Sequence, residues 1–350
     1  MKRDSIIPAI LILWLTSMMP PNLVAQNHKP IINDQSAQKT AEQNRQTEIR
    51  VDEGYVTTDD GVRLFYQKIG NGASTVIIPG GLFLFDDFKQ LAKGRTLIFY
   101  DMRNRGRSDS VSDNKKLTIQ DDVRDVEKIR SHFRVEKFSL IGYSYLGKMV
   151  VMYAIEHPQY IERIVQLGPI SIEFGTKYPD NLIAKDDKPV LDPVEMEKLN
   201  KLREEGYNKS HPKEYCEREW LVTRSRLVGD PANATKLGKG HCELPNEWGI
   251  NLERHFQQLF TSIAYLSPIT GEVKKLSFPV LTIHGTQDRN APYGGGREWA
   301  ATLPNARLIT IKGAAHNMWV EAPETIFPAI DTFFNGKWPE LAEKVAPLSK

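Results

Sequence analysis

An α/β architecture, with a mostly parallel central sheet flanked by helices and a helical cap inserted between two strands, accounts for the patterning of this chain. Three observations carry it. Short continuous apolar runs alternate with amphipathic stretches along most of the chain, as in strands buried on both faces by crossover helices. From about Ile170 to Lys275 that rhythm stops: the chain becomes charged, rich in Pro and Asn, and helical wherever it has a period. The rhythm then resumes, and Ser, Asp and His side chains follow three of the strands.

Taken in order, Val62 to Tyr66 alternates in side-chain character and reads as an early antiparallel strand. Thr75 to Pro79 and Thr96 to Tyr100 are continuous apolar runs, expected as parallel strands. Between Thr118 and Phe133, the residues Ile119, Val123, Val126, Ile129 and Phe133 fall on one helical stripe. Lys137 to Ile141 follows as a strand, Tyr145 to Glu156 as a helix and Ile161 to Leu167 as a strand. Within the interruption, Pro193 to Glu205 and Leu252 to Ile263 have helical periods. Pro279 to His284 is the next strand, then a helix around Arg297 to Leu303, a strand from Arg307 to Ile311 and a last helix from Pro323 to Phe334.

The amino terminus reads as a targeting segment. Met1-Lys2-Arg3 is a short positive start, Ile6 to Met19 is apolar, and Pro20-Pro21-Asn22 precedes Leu23-Val24-Ala25. Residues 1–25 are therefore expected to be a signal peptide cleaved after Ala25, since the paired prolines would break a spanning helix. The competing reading is an uncleaved membrane anchor, and without it no stable membrane partner is implied. Residues 26–48, rich in Gln, Asn, Lys and Thr, read as a flexible tether. The remainder divides into a core of residues 49–169 and 276–338, a cap of residues 170–275 and a carboxyl-terminal tail of residues 339–350.

Composition narrows the function. The 350 residues carry 46 basic and 44 acidic side chains, a net charge of +2 that leaves no footprint for nucleic acid. With 40% hydrophobic and 26% charged residues the chain is an ordinary folded one. Its two cysteines exclude a disulfide-dense scaffold. In an exported protein Cys216 and Cys242 could pair or remain free and buried. His211 and His241 lie near them, but the spacing matches no common structural zinc pattern.

The chemistry sits at strand ends. The strand Lys137 to Ile141 runs into Gly142-Tyr143-Ser144-Tyr145-Leu146-Gly147 and then a helix, the setting of a nucleophile elbow that lifts a serine hydroxyl above the sheet. Serine needs a base, and the base an orienting acid. Asp288 follows the strand ending at His284, and His316 follows the strand ending at Ile311, so the order Ser144, Asp288, His316 is the one an elbow-type triad takes. The backbone N–H groups of Gly81 and Tyr145 are the candidate oxyanion donors. No cofactor or metal is needed for this chemistry.

From about Glu48 to Trp338 the chain resembles the α/β-hydrolase superfamily. Beyond the triad, Gly80-Gly81-Leu82 stands where that family has its oxyanion loop. The stretch Asp101-Met-Arg103-Asn-Arg-Gly106-Arg-Ser108 is similar to the family's Asp-x-Arg-x-x-Gly-x-Ser. The cap position and layout look most similar to proline iminopeptidase-like and lid-bearing esterase branches. The sequence departs from the family at two places: Leu146 stands where the elbow commonly has Gly, and Pro79 where the oxyanion loop commonly has His.

The resemblance implies a serine hydrolase acting on a small-molecule ester or short peptide through an acyl-enzyme, and the signal peptide implies that it is exported, periplasmic or secreted. A carboxylic ester hydrolase is the first reading and a proline iminopeptidase-like aminopeptidase the alternative, with one or two cap carboxylates then binding a free amine. Dehalogenases and epoxide hydrolases of this layout use an elbow aspartate, which Ser144 excludes. A non-catalytic binding protein on the same fold would be expected to lack a triad member.

Other residues take blander roles. His284 is expected to be structural or pocket-lining, Ser108 a turn hydroxyl, and His157 a partner of the last helical carbonyls. Gly294-Gly295-Gly296 lacks the Lys and Ser/Thr of a phosphate loop and is expected to be a flexible connector. Asn208-Lys-Ser210 and Asn233-Ala-Thr235 fit glycosylation sequons.

Overall fold

The computed structural model describes residues 50–185, 190–238 and 240–347. The signal peptide of residues 1–25 and the tether of residues 26–48 lie outside the described residues. Eight strands form one sheet in the order β1-β2-β4-β3-β5-β6-β7-β8. They are β1 (Val51–Thr57), β2 (Arg63–Ile69), β3 (Ser74–Pro79), β4 (Arg95–Tyr100), β5 (Phe138–Tyr143), β6 (Ile161–Leu167), β7 (Val280–Gly285) and β8 (Ala306–Ile311). β1 and β2 pair antiparallel, β2 joins β4 antiparallel, and every other pairing is parallel.

The apolar strands are continuous because the sheet is covered on both faces. Alternate residues divide between two cores: Ile77, Ile98, Leu140, Ile164 and Val280 face one, and Val76, Ile78, Phe99, Ile141, Leu281 and Ile309 face the other. The first core is covered by α2 (Ile119–His132) and α3 (Tyr145–Glu156), the second by α1 (Gly81–Phe88) and α8 (Pro323–Phe334). Thr118 starts α2 with a reciprocal capping box to Asp121. In α8, Pro323 occupies the first turn, where its missing N–H is not needed, and Pro328 is tolerated in the interior.

Between β6 and β7 the chain leaves the sheet and forms the helical cap. Its longer helices are α4 (Pro193–Glu204), α5 (Pro212–Thr223) and α6 (Gly249–Ala264). Cys216 on α5 is disulfide-bonded to Cys242, with the Cα atoms 5.6 Å apart. That resolves the open choice between paired and free cysteines and leaves neither thiolate for zinc. Beyond Trp338, Glu343 makes an antiparallel bridge to Leu308 of the edge strand.

Three expectations are corrected. β1 is an additional edge strand ahead of β2. Gly294, Gly295 and Gly296 are buried in the first turn of α7 (Tyr293–Thr302) and are no connector. A Cβ on Gly294 would sit 2.3 Å from the Tyr178 ring, and one on Gly296 would sit 2.3 Å from His284 Nδ1, so the helix approaches the sheet only because three side chains are absent. The His157 ring lies against the rings of Tyr153 and Tyr160, with centroids at 4.8 and 6.0 Å, rather than against helical carbonyls. Ser108 behaves as expected, accepting the Phe65 N–H and donating to the Asp101 carbonyl.

Candidate active site

Ser144 sits on the turn between β5 and α3 with φ 58° and ψ −127°, a left-handed conformation that L residues adopt only under constraint. The constraint is local. Its N–H donates to the Leu167 carbonyl of β6 at 2.9 Å, and its carbonyl accepts the Gly147 N–H at 3.0 Å. Glycine is required on both sides: a Cβ at residue 142 would lie 2.4 Å from the Leu146 carbonyl oxygen, and one at residue 147 would lie 2.9 Å from Pro169 Cβ. Leu146, where glycine is usual, fits because Gly80 stands opposite it; a Cβ on Gly80 would be 3.1 Å from Leu146 Cδ1.

Asp288 and His316 meet at the ends of β7 and β8. His316 Nδ1 is 2.7 Å from Asp288 Oδ2. His284 Nε2 reaches the same oxygen at 3.1 Å and the Ala291 carbonyl at 2.9 Å; with two acceptors facing it, that nitrogen carries the proton. The other carboxylate oxygen accepts the N–H groups of Asn290 and Ala291, each at 2.9 Å. Burial on its own would raise the Asp288 carboxyl, but the adjoining His316 and the hydrogen bonds from His284 and His316 hold it well below the usual carboxylate range. Asp288 is therefore a firmly held anion between two imidazoles.

The serine and the histidine are brought to one edge of the sheet. The Tyr143 ring, next in sequence to Ser144, lies 4.7 Å from the His316 ring, and its hydroxyl donates to Asn317 Oδ1 at 2.7 Å. At Gly168, beside the Leu167 carbonyl that holds Ser144, a Cβ would be 3.0 Å from Asp288 Oδ2 and 3.3 Å from His316 Nδ1. Among the described residues the Ser144 hydroxyl makes no hydrogen bond to His316. Such bonds are commonly long before substrate arrives.

Gly81 and Tyr145 open α1 and α3, so their N–H groups have no intrahelical acceptor. Pro79 closes β3, and Gly80 then turns with φ 83° while its N–H donates to Tyr100. The loop is fixed by Asp101, whose two oxygens accept the Leu82 N–H at 2.6 Å and the Arg107 N–H at 2.9 Å. Burial pushes the Asp101 carboxyl up to about 6 despite those two bonds.

The cap meets this loop through a buried ion pair. Arg105 donates from Nε and Nη2 to Glu247 at 2.9 and 2.8 Å, and Glu247 also accepts the Gly106 N–H at 2.8 Å. The guanidinium lies between the rings of Phe83 and Phe256, at 5.1 and 4.9 Å. Neither this pair nor the double donation to Asp288 was among the sequence-based expectations. Asp101 and Arg105 do lie within one stretch singled out there, Phe83 follows directly on the other, and His284 lies four residues before Asp288.

A model of the alpha/beta hydrolase fold matches residues 76–323. The chain is 26% identical over 287 residues to a bifunctional esterase/perhydrolase of Acinetobacter calcoaceticus, covering 78% of this chain and 96% of that one. It is 22% identical over 301 residues to a proline iminopeptidase of Heyndrickxia coagulans, covering 81% and 98%. Among solved structures, an esterase from Exiguobacterium antarcticum superposes with a TM-score of 0.60 at 13% identity, over 81% of this chain and 99% of the other. The chain belongs to the alpha/beta hydrolase family and is an enzyme of the serine-hydrolase class.

Proposed function

We propose that the protein is an exported carboxylic ester hydrolase in which Ser144, His316 and Asp288 form the triad. The observation that carries this reading is the Asp288–His316 hydrogen bond of 2.7 Å at the sheet edge where Ser144 is held at φ 58°. His316 Nδ1–H donates to Asp288, which leaves Nε2 free to take the Ser144 proton. The serine oxygen attacks the ester carbonyl, the N–H groups of Gly81 and Tyr145 receive the oxyanion, and His316 returns the proton to the leaving alcohol. Water then releases the acid by the same route in reverse.

A preference for esters over aminopeptide substrates is supported by the commitment of the one cap carboxylate that is buried among the described residues, although half-buried Glu219 makes no side-chain hydrogen bond there. Binding a free amine needs an unspent carboxylate, and the buried cap residue Glu247 is consumed by Arg105 and the Gly106 N–H. Glu173 accepts the Ile269 and Thr270 N–H groups, and Glu298 accepts the Ile172 N–H and the Tyr178 hydroxyl. Export is supported by the amino-terminal pattern and by the Cys216–Cys242 disulfide, which suits an oxidising compartment.

The test is hydrolysis of acyl p-nitrophenyl esters beside prolyl and alanyl p-nitroanilides, with fluorophosphonate labelling. Ser144→Ala is expected to lose labelling and about 10⁴-fold or more of kcat while remaining folded. Retained turnover would remove Ser144 from the mechanism, and anilide cleavage faster than ester cleavage would move the assignment to an aminopeptidase.

A further inference from the structure

Buried polar atoms without a hydrogen-bond partner are rare in folded proteins, and in this chain most of them gather in one place. Arg105 Nη1, Asn104 Nδ2, Tyr100 Oη, Tyr145 Oη, Asp122 Oδ2 and both ring nitrogens of His255 are all buried and unpartnered among the described residues. Each of these six residues is 5% exposed or less. Tyr100, Asn104 and Arg105 come from the end of β4 and its loop, Asp122 from the first turn of α2, Tyr145 from the start of α3, and His255 from the cap helix α6.

Their proximity is fixed by named contacts. Arg254, beside His255, donates to Asn104 Oδ1 at 3.0 Å. Phe256 lies 4.9 Å beneath the Arg105 guanidinium and 6.4 Å from the Tyr145 ring. Burial lowers His255 well below its usual range, and the charges of Arg105 and Arg254 push it the same way. Burial raises Asp122 well above the carboxylate range, and Asp125 adds to it. The cluster also adjoins both candidate oxyanion donors: Tyr145 supplies one, and Phe83, over which Arg105 stacks, is two residues from Gly81.

The cluster is rich in donors. Arg105 Nη1 and Asn104 Nδ2 can only donate, and the Tyr100 and Tyr145 hydroxyls and one nitrogen of His255 can donate as well. The Arg105 charge is balanced by Glu247. Arg254 is hydrogen-bonded to neutral oxygens of Asn104, Val111 and Asn114. Surplus donors and one uncompensated cation suit a group that only accepts and carries one negative charge. A carboxylate, with about four acceptor positions, is that group.

We propose that this cluster is a subsite for a carboxylate on the acyl half of the substrate, so that the enzyme prefers half-esters of dicarboxylic acids. The inference rests on the esterase reading above and names the substrate class for it. Because the acyl half stays in the site through both steps, a subsite for its far end serves acylation and deacylation alike. The cluster is closed to solvent in this conformation, so the ligand reaches it when the cap residues 246–256 move off the β4 loop.

Two measurements on the full chain test the proposal. The first is the ratio of kcat/KM for mono-p-nitrophenyl glutarate over that for p-nitrophenyl valerate. It is expected to exceed about tenfold in the natural protein and to fall by about tenfold in Arg105→Lys and His255→Leu. Arg105→Lys keeps a cation for Glu247. His255→Leu removes buried nitrogens that bond nothing, so without a ligand role it should be at least as stable as the natural protein. The second is calorimetric binding of glutarate to Ser144→Ala, expected to be present there and weakened about tenfold when His255→Leu is added. A ratio near one, a ratio unmoved by both variants, or no glutarate binding would overturn the subsite. Glutarate binding with neither ester turned over would instead overturn the esterase reading and leave the carboxylate site standing.

Discussion

Two aspartates at the carboxyl ends of the sheet, Asp288 after β7 and Asp101 after β4, are almost equally buried, at 1% and 4% exposure, yet burial has opposite outcomes in them. Burial raises both. In Asp288 the neighbouring imidazoles reverse it, and the carboxylate is held ionised far down the pH scale. In Asp101 the partners are backbone amides of Leu82 and Arg107, which carry no charge, and burial prevails at about 6. In this chain the carboxylate flanked by imidazoles stays charged, whereas two backbone amides lower Asp101 without offsetting its burial. The β7 and β8 loops accordingly hold a charged carboxylate against two imidazoles, as the proposed triad requires, while the β3 and β4 loops use theirs to fix backbone N–H groups.

The strongest way to break this contrast is Asp288→Asn. With its oxygen kept on the Asn290 and Ala291 N–H groups, the new amide would present N–H to both imidazoles. His316 would then turn the wrong nitrogen toward Ser144, and kcat is expected to fall about 10⁴-fold with the fold retained. A loss smaller than tenfold, measured with p-nitrophenyl esters, would show that Asp288 does not orient the base.

Asp101→Asn sharpens the contrast through stability rather than rate. Its folded value near 6 lies above the unfolded value near 3.8, so the native state holds the extra proton between those limits. Stability contributed by this group is therefore present at low pH and declines as pH rises from about 4 to 6, by about 3 kcal/mol in all. Asp288 has the opposite sign: its contribution is present above about 4 and is lost as pH falls. Urea unfolding from pH 4 to 7.5 should show Asp101→Asn gaining on the natural protein by about 3 kcal/mol as pH rises. Parallel curves would mean that Asp101 stays ionised across the range.

What the sequence disclosed of all this follows from the range of the interactions. β6 and α3 were legible to the residue because most of their side chains are apolar and buried. β1 was not, since Val-Asp-Glu-Gly-Tyr-Val-Thr is an exposed edge whose partner, rather than its pattern, makes it a strand. The charged α5 has too weak an apolar stripe to be seen alone. Three glycines opening α7 contradict helix propensity and are explained only by the Tyr178 and His284 side chains they admit. Ser144, Asp288 and His316 stood out as candidates because each sits in a short motif after a strand. The Arg105–Glu247 pair spans 142 residues and has no local signature at all.

The smallest predicted effect tests the feature that most distinguishes Asp288, its second imidazole. His284 and His316 donate to one carboxylate oxygen, at 3.1 and 2.7 Å, so they divide the attraction of a single charge. Removing the His284 donor leaves that oxygen to His316 alone and loosens the carboxylate that orients the base. In His284→Leu kcat is therefore expected to fall by up to about tenfold with KM little changed. His284→Gln, whose amide can donate to the same oxygen, should restore most of the loss. A purely structural role would lower the yield of folded enzyme and leave kcat per fluorophosphonate-labelled site where it was. A loss per labelled site in His284→Leu that His284→Gln restores would identify His284 as a positioning residue for Asp288.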